Sequence, residues 1–373
     1  LGGVIQPLNE MTGLNVPDRK KILVASPAAG DMGDVIPVMD LYYDVDLTDD
    51  AFQAIGWAVE RAYHMIVLDD HLSGSDGYVI AQKMQDQGSR SPILMLAEEE
   101  SQAQAGRNEG LCRDYVQKPF DQYGFLEKFW HICDHAAEQE WDELPDTHSE
   151  LLKSTREHYR WITDDLIRHG RMDGEAIDAC TGQVVTAVEA GIAFEALKKL
   201  SGYHESTYAH SLHTAALMTV FGNQIGLSSD DVEVITAVGF LHDVGKIRVP
   251  RAILDKKEPL TAGEWERIRE HPEWSGHYIR ESENVNNLIA MPAERHHERL
   301  DGSGYPLALA GGQIDDLSLA VAIVDIFAAL TEDKPYHTAM SLFDALEEMR
   351  PMRGHQLESG FFDRFEEVVP ELY

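Results

Sequence analysis

Short apolar runs punctuate the first third of the chain. Lys21-Ile22-Leu23-Val24, Tyr42 to Leu47, Met65-Ile66-Val67-Leu68, Ile93-Leu94-Met95-Leu96 and Tyr115-Val116 each read as a strand. The third ends in Asp69-Asp70, and the fifth stands just before Lys118-Pro119. Helical spacing fills segments between them, such as Asp50–Tyr63 and Gly77–Gln87. Strands that are apolar throughout, rather than alternating, belong in a parallel sheet covered on both faces. The pattern predicts an α/β doubly wound parallel sheet over residues 20–135, with function at the carboxyl ends of its strands. Asp70, next along the strand from Asp69, is expected on the opposite face.

The pattern changes near residue 150. Leu151, Leu152, Trp161, Ile162, Leu166 and Ile167 recur at helical spacing, and strand-like alternation is scarce from there on. Pro145 disfavours a helical Leu144, so a break is expected within Trp141–Asp146. The predicted organisation is a tail (1–19), an α/β domain (20–135), an acidic linker with a connecting helix (136–170) and an all-α domain (171–373).

Charge narrows the partners. The 373 residues include 65 acids against 31 lysines and arginines, a net charge of -34. Such a chain repels polyphosphate, which excludes general binding to DNA or RNA polymers and disfavours an anionic membrane surface. No run approaches the ~20 apolar residues of a membrane span. The first residues, Leu1-Gly2-Gly3-Val4, lack the basic start of a signal peptide. A cytoplasmic protein is the expectation. Cys112, Cys133 and Cys180 are too far apart for a disulfide framework or a thiolate zinc knuckle.

Histidine carries the chemistry. Of 17 histidines, eight fall between His204 and His297. His210, the pair His242-Asp243, His271, the pair His296-His297 and Asp325 form a candidate constellation. Asp325 stands in the apolar run VAIVDIFAAL, where a carboxylate is costly unless paired or bound to metal. Imidazoles with carboxylates, and no thiolate, suit iron, manganese, nickel or zinc rather than calcium. Seven such groups exceed what one ion takes, so two ions sharing an aspartate are the economical arrangement. Lys246, four residues after His242, is expected on the same helix face. His213, His277 and His355 read as surface or hydrogen-bonded core residues.

Two resemblances follow. LDDHLSGSDG and the later YVQKPF resemble the receiver domain of two-component response regulators. The resemblance places Asp69 at the phosphoacceptor position, Lys118 at the phosphate-contacting lysine and Tyr115 at the aromatic switch. The acidic pair of that family is replaced by Ala25-Ser26, and the hydroxyl residue ending the fourth strand by Ala97. Asp69 and Lys118 are therefore expected to form an inactive phosphoacceptor site. Such a pseudo-receiver would serve dimerisation or binding of a signalling partner.

HDVGKIRVP, His271, HHERLDGSGYP and the late Asp325 resemble the HD-GYP family, a branch of the HD phosphohydrolases. The resemblance implies an all-α HD-type fold and hydrolysis of cyclic di-GMP to pGpG and/or GMP. It implies two divalent ions, iron or manganese first, with nickel and zinc also fitting. His210, His242, Asp243 and Asp325 would hold one, and His271, His296 and His297 the other, with Asp243 bridging. Asp243 and Lys246 would be catalytic, and Lys246, Arg299, Gly304, Tyr305 and Lys334 would contact substrate. Ser206 stands where some members carry a glutamate for a third metal, which favours two ions. Ala328, Lys334 and His337 depart from the family pattern at nucleotide-recognition positions. They motivate two alternatives: a nucleotide-sensing or scaffold protein with little turnover, and a hydrolase of another phosphoester such as pGpG.

Overall fold

The computed structural model describes residues 20–27, 35–36, 39, 43–200, 206–254, 256, 259–332 and 339–371. The chain divides after Phe120 into two compact units.

The first unit is built on a five-stranded parallel sheet. Its strands are β1 (Lys21–Ala25), β2 (Asp44–Thr48), β3 (Met65–Asp69), β4 (Ile93–Ala97) and β5 (Asp114–Gln117), in the order β2-β1-β3-β4-β5. β3 and β4 are buried along their whole length, as continuous apolar runs require. Helices α1 (Ala51–Glu60), α2 (Gly77–Asp86) and α3 (Glu100–Asn108) connect the strands. Asp50 and Asp76 cap α1 and α2 by accepting from backbone amides in their first turns. The doubly wound sheet expected from the sequence is the one observed.

The second unit is helical. It opens with α4 (Gln122–Glu140), and the chain then breaks where Pro145 predicts. Leu144 is extended and α5 (Asp146–His169) starts after the proline. Next come α6 (Gly174–Glu189), α7 (Ser206–Ile225) and α8 (Ser229–Leu241). The segments that matter for the site follow: α9 (Ala262–Arg269), α10 (His271–Glu281), α11 (Ala290–Arg295) and α12 (Asp316–Thr331). In α8 and α12 apolar side chains cover nearly every face, so both helices run through the core. Each buried Val, Leu, Ile or Phe there contributes about 1.5–3 kcal/mol. That margin offsets the few polar groups buried among them. No helix among the described residues is long and apolar enough to cross a membrane.

Candidate metal centre

All seven predicted ligands come together inside the helical unit. His210 lies within α7 and Asp325 within α12. The others stand at helix junctions. His242 and Asp243 follow α8, His271 begins α10 just after α9 ends, and His296 and His297 follow α11. All but His297, which is partly exposed, are buried.

The ligand atoms form two groups. In the first, His210 Nε2 is 3.0 Å from Asp325 Oδ1 and 3.3 Å from His242 Nε2. In the second, His271 Nε2 is 3.3 Å from His296 Nε2 and 3.0 Å from Asp243 Oδ1, with His297 alongside. Asp243 is a member of the second group and borders the first. Its Oδ1 faces the second, and its Oδ2 lies 3.7 Å from His210 Nε2 and 3.6 Å from His242 Nε2. Asp325 likewise sends its other oxygen to within 3.7 Å of His297 Nδ1.

Backbone carbonyls fix the tautomers of three rings. His242, His271 and His296 donate from Nδ1 to the carbonyls of Gly239, Ile268 and Ala293, at 2.8, 2.7 and 2.7 Å. Each carbonyl is three residues upstream and lacks its i+4 ladder partner because the helix ends there. For Ile268, the ladder partner would be Pro272, which has no N–H. With Nδ1 protonated, the Nε2 atoms carry bare lone pairs and face one another at 3.3 Å. Asp243 Oδ1 is also buried and takes no hydrogen bond among the described residues.

Electrostatics point the same way. Burial pushes the His271 ring down, and pushes His296 and His297 well below the usual histidine range. Burial alone would raise Asp243 and Asp325. Lys246 and His242 instead hold Asp243 well below the usual carboxylate range, and His210 and His242 do so for Asp325. Neutral imidazoles and ionised carboxylates crowded this way are the nitrogen and oxygen donors that a divalent metal takes, so the donor set fits divalent metal.

The surrounding residues hold this geometry. Helix α8 stops at Leu241, and Val244–Arg248 is a 3₁₀ turn, so Lys246 does not share a helix face with His242. The tighter winding aligns residues three apart, and the Lys246 ammonium contacts Asp243 Oδ2. Gly245 donates to Ser275 Oγ at 2.8 Å, and a side chain there would overlap the His271 carbonyl oxygen. Gly304 lies so close to the ligand-bearing turn that a Cβ would stand 2.5 Å from His297 O, Glu298 Cα and Arg299 N. The Tyr305 ring packs against His297 at a 32° tilt, with centroids 4.6 Å apart. The Arg299 guanidinium braces the same turn, donating to the carbonyls of His296 at 3.1 Å and Glu298 at 2.8 Å. Lys334 and His337 lie outside the described residues, as does the side chain of Ser206.

At the carboxyl ends of the strands in the first unit, Asp69 Oδ2 accepts from Ser26 Oγ at 3.0 Å. Its Oδ1 accepts from the Lys118 ammonium at 3.0 Å. Asp70 does not point to the other face, because β3 ends at Asp69 and strand alternation ends with it. Its carboxylate shares the Lys118 ammonium at 2.8 Å and accepts from the Glu98 amide at 2.7 Å. Lys118 and the Glu98 amide, together with His71, hold Asp70 below the usual carboxylate range against the opposing effect of burial.

Residues 33–129 match the response regulator receiver domain family, and residues 188–359 match the HD domain family. The chain joins a receiver domain to an HD domain. A cyclic di-GMP phosphodiesterase of Pseudomonas aeruginosa is 35% identical over 51% of the chain and 47% of its own length. A 3'3'-cGAMP-specific phosphodiesterase of Vibrio cholerae is 36% identical over 42% of the chain and 35% of its own length. The chain thus spans about half of the first relative and a third of the second. A cyclic di-GMP phosphodiesterase response regulator of Xanthomonas campestris pv. campestris is 27% identical over 88% of the chain and 81% of its own length.

Two residues that sequence reasoning passed over, Glu298 and Glu332, stand at the site with His213, which it read as a surface or hydrogen-bonded core residue. Glu298 is buried, and its two oxygens accept from the amides of Leu307 at 2.7 Å and Leu309 at 2.9 Å, pinning the loop that carries Gly304 and Tyr305. Glu332 and His213 meet beside His210, with His213 Nδ1 3.0 Å from the Glu332 carboxylate. His213 is therefore part of the surroundings of the site. The adjacency of Glu298 to His296-His297 was a usable signal, whereas Glu332 had none.

Proposed function

We propose that the HD domain is a binuclear-metal phosphodiesterase that cleaves cyclic di-GMP to pGpG and/or GMP. The observation that carries this reading is Asp243, whose two oxygens serve two separate histidine groups. His210, His242 and Asp325 would hold one ion and His271, His296 and His297 the other, with Asp243 between them. Divalent ions bound there supply Lewis-acid chemistry, screening phosphate charge and acidifying water enough for attack at neutral pH. Iron or manganese is the pair that the family resemblance favours, and a donor set of imidazoles and carboxylates also accepts nickel or zinc.

The chain's own residues do the rest. Lys246, partly exposed beside Asp243, is placed to donate to a phosphate oxygen and to the leaving oxygen. Tyr305, packed at a tilt against His297, gives an aromatic edge of the site that a purine base could meet. Gly304 lets that edge lie close to the ligand turn, and Arg299 keeps the turn rigid. In the receiver domain Ser26 and Lys118 occupy both Asp69 oxygens, which supports a regulatory module that binds a signalling partner without phosphorylation.

Elemental analysis of the purified protein alongside a cyclic di-GMP hydrolysis assay tests this reading. Metal-loaded protein that leaves both cyclic di-GMP and pGpG uncut refutes it. The likeness to a 3'3'-cGAMP-specific relative favours a mixed cyclic dinucleotide as second substrate. Comparing rates for both nucleotides on one preparation separates the two.

A further inference from the structure

We infer that Glu332 is the positioning residue for His210, supplying the acceptor that the helix backbone denies it. The inference rests on the metal-centre reading above. Three of the ligand histidines stand where a helix has ended and a carbonyl lacks its ladder partner. His210 does not. It lies inside α7, where the i to i−4 ladder engages the carbonyls upstream. An imidazole there needs an outside acceptor at Nδ1 if its Nε2 is to face metal. Glu332 is that acceptor, with Oε2 at 3.0 Å and Oε1 at 3.2 Å from His210 Nδ1.

The carboxylate meets the ring edge opposite the one facing Asp325, so it is placed to orient the ligand rather than to bind the ion. It comes from the first residue beyond α12, the helix that also carries Asp325. Its contact with His213, one turn along α7, anchors it from the second side. A charged acceptor also makes the imidazole a stronger ligand than a carbonyl would. His210 is thus held by an ionic partner where its three counterparts are held by the backbone.

Cobalt(II) titration of the full chain, read by visible absorption and by elemental analysis after gel filtration, tests this. Two uptake steps are expected for the wild type. Glu332→Ala should weaken one step by roughly 10–100-fold and leave the other unchanged. Glu332→Gln, which keeps an acceptor oxygen, should recover most of the loss. In His296→Ala, which disables the second group, the surviving step should be the one that Glu332→Ala weakens. Glu332→Asp carries the same test should the alanine variant not fold, because its carboxylate is withdrawn by one methylene. Unchanged affinities, equal weakening of both steps, or a folded Gln variant no better than Ala overturn the inference. Wild-type protein that takes up no cobalt refutes the metal-centre reading itself.

Discussion

Oδ1 of Asp243 lies 3.0 Å from Nε2 of His271, while its Oδ2 turns toward His210 and His242. One carboxylate therefore stands between the two histidine groups, placed to serve both on the proposed reading. Asp243→Ala is expected to lose both bound ions and all hydrolytic activity. His242→Ala should lose the ion of its own group, and activity with it. Elemental analysis of each variant decides, and full metal content in Asp243→Ala would show that the ligands are assigned wrongly.

Gly245 sets the distance between the 3₁₀ turn and α10. Gly245→Ala forces its methyl into the His271 carbonyl, which is backbone and cannot swing away. The expected cost is about 1–3 kcal/mol of stability. Metal affinity should fall mainly in the group that contains His271. Denaturant unfolding and cobalt uptake measured on one preparation check both effects.

Glu298 holds the Gly304–Tyr305 loop by two amide hydrogen bonds. Glu298→Ala leaves those amides to water and releases the loop. Metal content should stay near wild type while KM for the nucleotide rises, with about 1–3 kcal/mol lost in stability. A variant that loses metal but keeps KM would place Glu298 in the metal centre instead.

Metal removal should lower thermal stability. The facing lone pairs and buried carboxylates repel one another without cations, and a ligand that binds only the folded state stabilises it by about 4 kcal/mol at 1,000 times its Kd. Differential scanning calorimetry with and without a chelator reads the shift. An unchanged melting temperature, with the metal shown to be gone, contradicts the proposed site.

In the receiver domain, a small-molecule phosphodonor with magnesium is expected to leave Asp69 unlabelled. Ser26 and Lys118 already take both of its oxygens, and Ala25 and Ser26 offer no carboxylate to a cation. Stoichiometric labelling that disappears in Asp69→Asn would restore it as a working phosphoacceptor.

The sheet and the ligand set were legible because both are written in local pattern. Apolar runs mark β3 and β4, and adjacent His-Asp and His-His pairs mark the turns after α8 and α11. What the sequence hid depends on where elements stop and on distant contacts. Lys246 looked helical until α8 ended at Leu241, and Asp70 changed face because β3 ended one residue before it. Glu332 and His210 are 122 residues apart, and an ordinary glutamate at a helix end carries no sign of its partner.

The carboxylates of Asp243 and Asp325 stand together among the ligand histidines, and the Lys246 ammonium beside them is itself tied to Asp243. For a doubly charged cyclic dinucleotide, that is a repulsive destination. On the proposed reading an order of events follows: ions would load first, and only then would the site attract its anionic guest. Available metal would then gate nucleotide binding as well as turnover, coupling the lifetime of the signal to the cell's metal supply.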